Sequence, residues 1–424
     1  MKRSAAVKTR PQWVREDRLP TLEEIAWLQS AEGRAACRAM MEGDPADTPA
    51  AIDRWRQRLD PTLVSAAWAQ VCLRRAAAVK FARADEMLFD RVGLEQSTDE
   101  ALAVHKTRRF TGLGRVADLC CGLGGDALAL AADHEVVAVD RLAIRTALAR
   151  HNADVYGQTI TAQVGDVTLD LPAADAAHID PDRRATGRRS HDVDSASPGL
   201  VTLQRVVEGY PAAGIKLSPG ADFDKLPFTA EIELISQHGE CKQAVAWTGR
   251  LAEAHRRATV LLERAPNSAH SGFDTVQLAA FPGDSLAWPE SCPPHPDSYL
   301  YEPDPAVIRA DLVGILARKL GLAPIDPHIA WLVGQAPIHD PLVHSFRVID
   351  VRSWSAKPAR AWLAEQDIGP LDVKTRGFAA RPETILKQLR PAGARPAVLF
   401  LTRLGDRPTA ILAERLPGSA TSKS

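Results

Sequence analysis

One stretch constrains the fold of this chain more than any other: Val116 to Asp140, VADLCCGLGGDALALAADHEVVAVD. The apolar run Val116–Leu119 predicts a buried strand, and Gly122, Gly124 and Gly125 predict a tight turn behind it. Ala127 to Ala132 has helical composition. Glu135 to Val139 is a second apolar run, rich in β-branched residues, that closes on Asp140. Strand, glycine loop, helix, strand and acid in that order call for an α/β sheet.

Each part has a use in holding a nucleoside. Glycines let backbone approach a ligand and take positive φ, and a helix start offers free N–H groups. A carboxylate at the tip of the second strand, Asp140, can accept both hydroxyls of a ribose. Two cofactor classes share this layout, and Gly122, Gly124 and Ala127 satisfy the loose dinucleotide fingerprint, which keeps NAD or FAD open on that evidence. Asp118 shifts the balance. A carboxylate just before the loop repels a pyrophosphate and attracts the amino group of a methionine-type ligand.

The rest of the composition sets bounds. A chain of 424 residues with 45% hydrophobic content supports two or three domains, each with a core. A formal net charge of -1 excludes a globally basic protein while leaving room for local basic patches. Cys37, Cys72, Cys120, Cys121, Cys241 and Cys292 form no CxxC pair and no zinc spacing, so reduced thiols and no metal are expected. The basic start MKRSAAVKTRPQ leads into Trp13, Glu16 and Asp17 and not into a signal-peptide apolar run. No apolar span has membrane length, and a cytoplasmic protein is the expectation.

The motif D-x-x-x-G-x-G-G-D, Asp118 to Asp126, resembles the first motif of class I S-adenosylmethionine methyltransferases. Upstream, Thr98, Glu100, Ala103 and His105 match a T-x-E-x-x-A-x-H pattern of trimethylguanosine synthase-like RNA methyltransferases. Downstream, HNADVYG (His151 to Gly157) is similar to the same group. The resemblance implies a Rossmann-like seven-stranded sheet with S-adenosylmethionine as cofactor. It further implies that Asp118, with Cys120, Gly122, Gly124 and Gly125, holds the methionine part, and that Asp140 with Arg141 takes the ribose. Asp166 with Val167 would take the adenine, and Thr98 and Asn152 would complete the cofactor set.

On the acceptor side, Ala176 to Asp180 predicts a strand opening into DPDRRATGRRSHDVD. Asp180 and Pro181 would stand at the methyl end of the cofactor, with Asp182 or Arg183 orienting the acceptor. Base-modifying relatives carry D/N-P-P followed by an aromatic, or Pro-Pro-Trp. This chain has Asp182, Arg183 and Arg184 there, so a base-stacking role does not carry over. Arg183, Arg184, Arg188 and Arg189 read equally as a solvated run or as phosphate recognition. No cysteine stands near Pro181 or Ser218, which argues against covalent C5 chemistry on a pyrimidine.

Four domains are expected: helical over 1–93, methyltransferase over 94–264, a ferredoxin-like α/β module over 272–340 and a THUMP-like domain over 341–417. In the first, helical spacing makes Trp13, Trp27, Trp55 and Trp68 core residues before base-stackers. Within the second, Glu231–Ile235, Glu240–Trp247 and Ala258–Leu262 read as strand, helix and strand, and Pro305 to Leu320 reads as one helix of the third. The last segment, with VKTRGF (Val373 to Phe378) and the helix start Arg381 to Glu383, resembles the THUMP-like module of a bacterial class I methyltransferase family, and Ser298 to Leu312 resembles the stretch before it. Lys374, Arg376, Arg381, Lys387, Arg390 and Arg395 read either as an RNA-gripping surface or as solvated faces. The expectation is a methyltransferase for RNA, tRNA or rRNA unspecified. The alternatives are an inactive scaffold that keeps the cofactor fold, or an enzyme for protein or small molecules.

Overall fold

The computed structural model describes residues 18–42, 49–182, 196–264 and 272–416. Trp13, Arg183, Arg184, Arg188 and Arg189 lie outside the described residues. The chain forms two compact units, the first built mainly from residues up to Lys216 and the second mainly from those after it.

The first unit opens on helices α1 (Leu22–Gln29), α2 (Ala31–Glu42), α3 (Pro49–Arg56) and α4 (Pro61–Ala77). Thr21 and Glu24 close a capping box on α1, and Asp60 caps α4 ahead of Pro61 at its first turn. Ile25, Leu28, Cys37, Met40, Val64 and Val71 are buried between them, as is Trp68. Trp27 and Trp55 are half-buried, and the Trp27 indole donates to Glu32. An irregular stretch follows, with Leu88 and Phe89 fully buried. The Gln70 amide makes both backbone hydrogen bonds of Phe89, at 2.8 and 2.9 Å, which satisfies polar groups that no sheet reaches.

Next come α5 (Arg91–Gln96), α6 (Glu100–Thr107), β1 (Arg115–Leu119), α7 (Gly125–Leu130), β2 (Glu135–Asp140) and α8 (Ala143–Val155). β3 (Ile160–Val164), β4 (Ala176–Ile179), α9 (Leu200–Gly209) and β5 (Ala212–Leu217) complete the series. The strands lie parallel in the order β3-β2-β1-β4-β5. β4 and β5 are buried at every position, as strands covered by helices on both faces must be. The order reverses between β1 and β4, and such a switch point opens a crevice at the carboxyl ends of the strands.

In the second unit, β6 (Glu231–Gln237), β7 (Glu240–Gly249), β8 (Arg256–Glu263) and β9 (Phe273–Ala280) run in the order β7-β6-β8-β9. The helix expected over Glu240 to Trp247 is β7. His238 (φ 54°) and Gly239 (φ 73°) both sit in the left-handed region, the two-residue turn that suits a twisted hairpin. Every residue from Gln243 to Thr248 is buried, so β7 lacks the polar-out alternation that marks a strand in sequence.

A seven-stranded sheet then draws on both the 272–340 and 341–417 stretches. Its strands are β10 (Tyr299–Pro303), β11 (Ala323–Asp326), β12 (Ile329–Gly334), β13 (Val343–Ser353), β14 (Ile368–Thr375), β15 (Arg395–Leu404) and β16 (Arg407–Arg415), in the order β11-β12-β10-β13-β16-β15-β14. The helix expected over Pro305 to Leu320 is two, α10 (Pro305–Arg309) and α11 (Val313–Leu320), because the chain turns through Asp311 at φ 59°. α12 (Ala356–Glu365) and α13 (Pro382–Leu389) pack Trp362, Leu363, Ile385 and Leu389 on one face of the sheet. On the other, Trp331 and Phe346 both meet Phe400 edge-on, with ring centroids 5.0 and 4.9 Å away.

Candidate functional site

A crevice opens in the first unit at the carboxyl ends of β1, β2 and β4. One wall is the loop after β1, where Cys120 (φ 61°), Gly122 (φ 55°) and Gly124 (φ 83°) all take left-handed backbone. A Cβ on Gly124 would press on Ala149 of α8 at 3.2 Å, whereas one on Gly122 would meet nothing within 4 Å. Gly124 is thus required by packing as well as by φ, while Gly122 leaves room for a ligand against the backbone. Gly125 starts α7 beside the Thr98 carbonyl.

Asp140, at the end of β2, is braced on both oxygens: Oδ2 accepts from the Gly122 N–H (3.1 Å) and Oδ1 from the Leu142 N–H (2.9 Å). The same backbone bonds aim it into the crevice, which Arg141 and Arg145 also line. Asp166 and Val167 line it too. Asp166 Oδ1 accepts from the hydroxyl and N–H of Thr168 at 2.7 and 2.8 Å, and these bonds hold its carboxyl below the usual range. Its carboxylate therefore closes a turn. Asn152 stands apart from this group and does not line the crevice. It is fully buried, accepts from the Leu88 N–H and donates to the carbonyls of Leu88 and Leu123, so it acts as a backbone staple behind the loop.

Behind the wall runs a chain of buried polar side chains. Nδ1 of His178 lies 2.7 Å from Oδ1 of Asp118, and Nε2 lies 3.1 Å from Nζ of Lys106. Lys106 pairs with Asp126 at 2.6 Å, and Thr98 donates to Oδ2 of Asp126 at 2.7 Å. Lys216 Nζ in turn donates to the Thr98 hydroxyl at 2.9 Å and to Oδ2 of Asp180 at 2.6 Å. Burial raises the Asp118 carboxyl above its ordinary range against the pull of His178. For Asp126 burial acts in the same sense, but the ammonium groups of Lys106 and Lys216 outweigh it and hold the carboxyl low. Burial also lowers the Lys106 ammonium.

Sequence reasoning found Thr98, Asp118 and Asp180 and missed Lys106, His178 and Lys216. The available signal was a polar residue inside an apolar strand, His178 in AAHID and Lys216 in AGIKLS. Such a residue is costly to bury without partners.

At the acceptor end, Pro181 is buried next to Asp180. Asp182 exchanges both backbone hydrogen bonds with Ser197, and its carboxylate accepts from the Gln96 amide at 2.7 Å. It is a fastened part of the rim. Arg183 lies outside the described residues. Among the described residues, no group of three or more metal-ligating side chains occurs, and no helix is long and apolar enough to cross a membrane.

In the second unit, Lys374 and Arg376 are drawn onto Glu302 at 2.8 and 3.5 Å, which removes them from the expected basic surface. Burial works to raise the Glu302 carboxyl, yet Lys374 and Arg376 bring it below its usual range. Arg381, Lys387, Arg390 and Arg395 remain exposed.

The crevice passes a chemical test for a nucleoside carrying an amino-acid end. Oδ2 of Asp118 is buried, belongs to a crevice residue and has no hydrogen-bond partner among the described residues, so it is an acceptor awaiting a cation. Asp140 stands at the strand tip for a diol.

Comparison with known proteins points the same way. The RNA cap guanine-N2 methyltransferase family matches residues 113–205, the THUMP domain-like family residues 343–415, and a domain family of unknown function residues 21–77. An uncharacterized S-adenosylmethionine-dependent methyltransferase of Mycobacterium tuberculosis CDC 1551 is 31% identical over 350 residues, spanning 78% of this chain and 91% of its own length. Its counterpart in strain H37Rv gives the same values. A solved structure from Porphyromonas gingivalis W83, named as a candidate methyltransferase, covers 94% of this chain and 100% of its own with a TM-score of 0.74 at 20% identity, a likeness of fold.

Proposed function

This chain belongs to the S-adenosylmethionine-dependent methyltransferases, and from that premise we propose that it methylates RNA, with the acceptor entering beside Asp180 and Pro181. The cofactor supplies a methyl group on a sulfonium that is already an activated leaving group, so the protein's work is to bind, align and exclude water.

Asp118, through its unpartnered Oδ2, holds the ammonium of the cofactor, and Asp140 holds the ribose hydroxyls from the position that Gly122 and Leu142 give it. The Asp166–Val167 turn borders the adenine. Cys120, Gly122, Gly124 and Gly125 let the backbone follow the methionine part closely. Thr98 and Arg141 support the same pocket, and Asn152 serves it from behind the loop. On the acceptor side, Lys216 fixes one oxygen of Asp180, leaving Oδ1 to accept a hydrogen bond from the acceptor group and orient its lone pair toward the methyl. Pro181 stiffens this exit.

One observation carries the reading: a buried, unsatisfied carboxylate oxygen and two strand-tip carboxylates, Asp140 and Asp180, border a single crevice. RNA as acceptor draws support from the cap-type and THUMP-like family matches and from the exposed cations Arg381, Lys387, Arg390 and Arg395. On this reading 94–264 is the catalytic domain, 341–417 an RNA-holding domain, and the reaction is cytoplasmic.

The experiment is transfer of tritiated methyl from S-adenosylmethionine to total RNA, total protein and small-molecule extracts of a deletion strain. Label entering RNA and absent with Asp180→Ala is expected. Label confined to protein or metabolites overturns the RNA assignment, and cofactor binding without label in any fraction points to a scaffold.

A further inference from the structure

We infer that His178 is a positioning residue that presents Asp118 to the ammonium end of the cofactor, with Lys106 fixing its tautomer. The inference rests on the methyltransferase reading above.

The argument begins with donor count. A lysine ammonium donates and does not accept, and Nζ of Lys106 lies 3.1 Å from Nε2 of His178. Nε2 must then be the accepting nitrogen, which puts the imidazole proton on Nδ1. From there it points at Oδ1 of Asp118, 2.7 Å away. The opposite tautomer would set an N–H against an ammonium and leave Asp118 without a donor. A doubly protonated ring keeps the donor to Asp118 but still sets an N–H against the ammonium.

Packing leaves little freedom to escape this arrangement. His178 and Asp118 are each 1% exposed and Lys106 is 2% exposed. His178 and Asp118 are register partners across the parallel pair β1 and β4, so backbone hydrogen bonding fixes their separation. Lys106 is anchored from its other side by Asp126.

Asp118 therefore has one oxygen fully engaged and its plane set, with Oδ2 unpartnered among the described residues. Burying a lysine, a histidine and two carboxylates together gives little net stability compared with apolar packing, so a role in presenting charge accounts for their presence better than a role in stability. An outer partner that fixes tautomer and ring orientation acts here on a carboxylate much as it does behind a metal-bound histidine.

The test uses the full chain and calorimetric titration with two ligands: S-adenosylhomocysteine, which carries the ammonium, and 5′-methylthioadenosine, which lacks the amino-acid end. Wild-type protein is expected to favour the first by at least about tenfold, the scale of one charge-assisted hydrogen bond. His178→Leu is expected to cut that preference by about fivefold or more while leaving methylthioadenosine affinity within about twofold. His178→Asn, whose amide can replace the Nδ1 donor, is expected to restore most of the preference.

An unchanged preference in His178→Leu, or an equal loss for both ligands, overturns the inference. Wild-type protein that binds neither ligand instead brings down the methyltransferase reading itself. Nitrogen-15 spectra of histidine-labelled wild-type protein decide the point without any variant. A neutral His178 protonated at Nδ1, shifted by S-adenosylhomocysteine and not by methylthioadenosine, is expected, whereas a cationic or Nε2-protonated ring overturns the proposal.

Discussion

Nζ of Lys216 lies 2.6 Å from Oδ2 of Asp180, one residue beyond Ile215 and Ile179, the last register pair of β5 and β4. The ammonium also reaches the Thr98 hydroxyl, so it ties the Asp180 carboxylate to the short turn between α5 and α6. Lys216→Met frees Asp180 to turn toward water. Methyl transfer to RNA should fall by about tenfold or more, while S-adenosylhomocysteine affinity measured by calorimetry falls by about threefold at most, because the ion pair of Lys216 is with Asp180 and it reaches the cofactor pocket only through the Thr98 hydroxyl. An equal fall in both quantities would place Lys216 in cofactor binding instead.

Asp140 gives a second prediction, of opposite selectivity. Its carboxylate accepts from the N–H groups of Gly122 and Leu142, so it shapes the glycine loop in addition to the ribose contact proposed above. Asp140→Ala should weaken S-adenosylmethionine binding by at least about 1.4 kcal/mol, or tenfold. The loss should extend equally to 5′-methylthioadenosine, since both ligands carry the ribose. Affinity unchanged in calorimetry would remove Asp140 from the pocket.

The wall of the crevice formed by Asp118, the glycines and Asp140 was legible because it is built from contiguous sequence, one strand–loop–helix–strand unit in which spacing maps directly onto geometry. The chain of Lys106, His178 and Lys216 was not legible, because it assembles residues from a helix and two strands that meet only through the β1-β4-β5 register. β7 failed for a related reason. A strand buried on both faces carries no period of two, and the deciding turn, His238 and Gly239, lacks the usual Asn-Gly signature. Asn152 matched a family-like motif, yet its amide is committed to backbone groups, which no linear pattern reveals.

Cys120 borders the crevice, yet it should be a poor nucleophile. Burial is the main influence, and the carboxylates of Asp140, Asp180 and Asp118 add to it, so the thiol is raised far above its ordinary value. A raised thiol remains protonated at mildly alkaline pH, and only the thiolate alkylates. Iodoacetamide at about pH 8 should label the exposed Cys292 and leave Cys120 unmodified in peptide mass spectra. Rapid labelling of Cys120 would mean that its thiol is not shielded from water as the structure has it.

The last prediction concerns what holds the β6–β8 pair. Glu231 is 1% exposed; its Oε1 accepts from Nε of Arg257 at 2.7 Å, and its Oε2 accepts from the N–H groups of Glu253 and Ala254 at 2.6 and 2.9 Å. One carboxylate thus satisfies a buried guanidinium and the turn that leads into β8. Glu231→Ala strands all three donors, and leaving a buried charge without its partner costs about 3–5 kcal/mol. Arg257 retains a second, more exposed partner in Glu253 at 3.1 Å, which places the expected loss toward the lower end of that range. Glu231→Gln keeps one accepting oxygen but turns an amide N–H toward either the guanidinium or the turn, so its stability should fall between the alanine variant and wild type. Arg257→Ala in the Glu231→Ala background should then cost less than it does alone, because the buried Glu231 carboxylate that it would otherwise strand is already gone. Chemical denaturation followed by circular dichroism reads wild type and all four variants, and a Glu231→Ala chain as stable as wild type would show that the turn at 253–254 is held by its backbone alone.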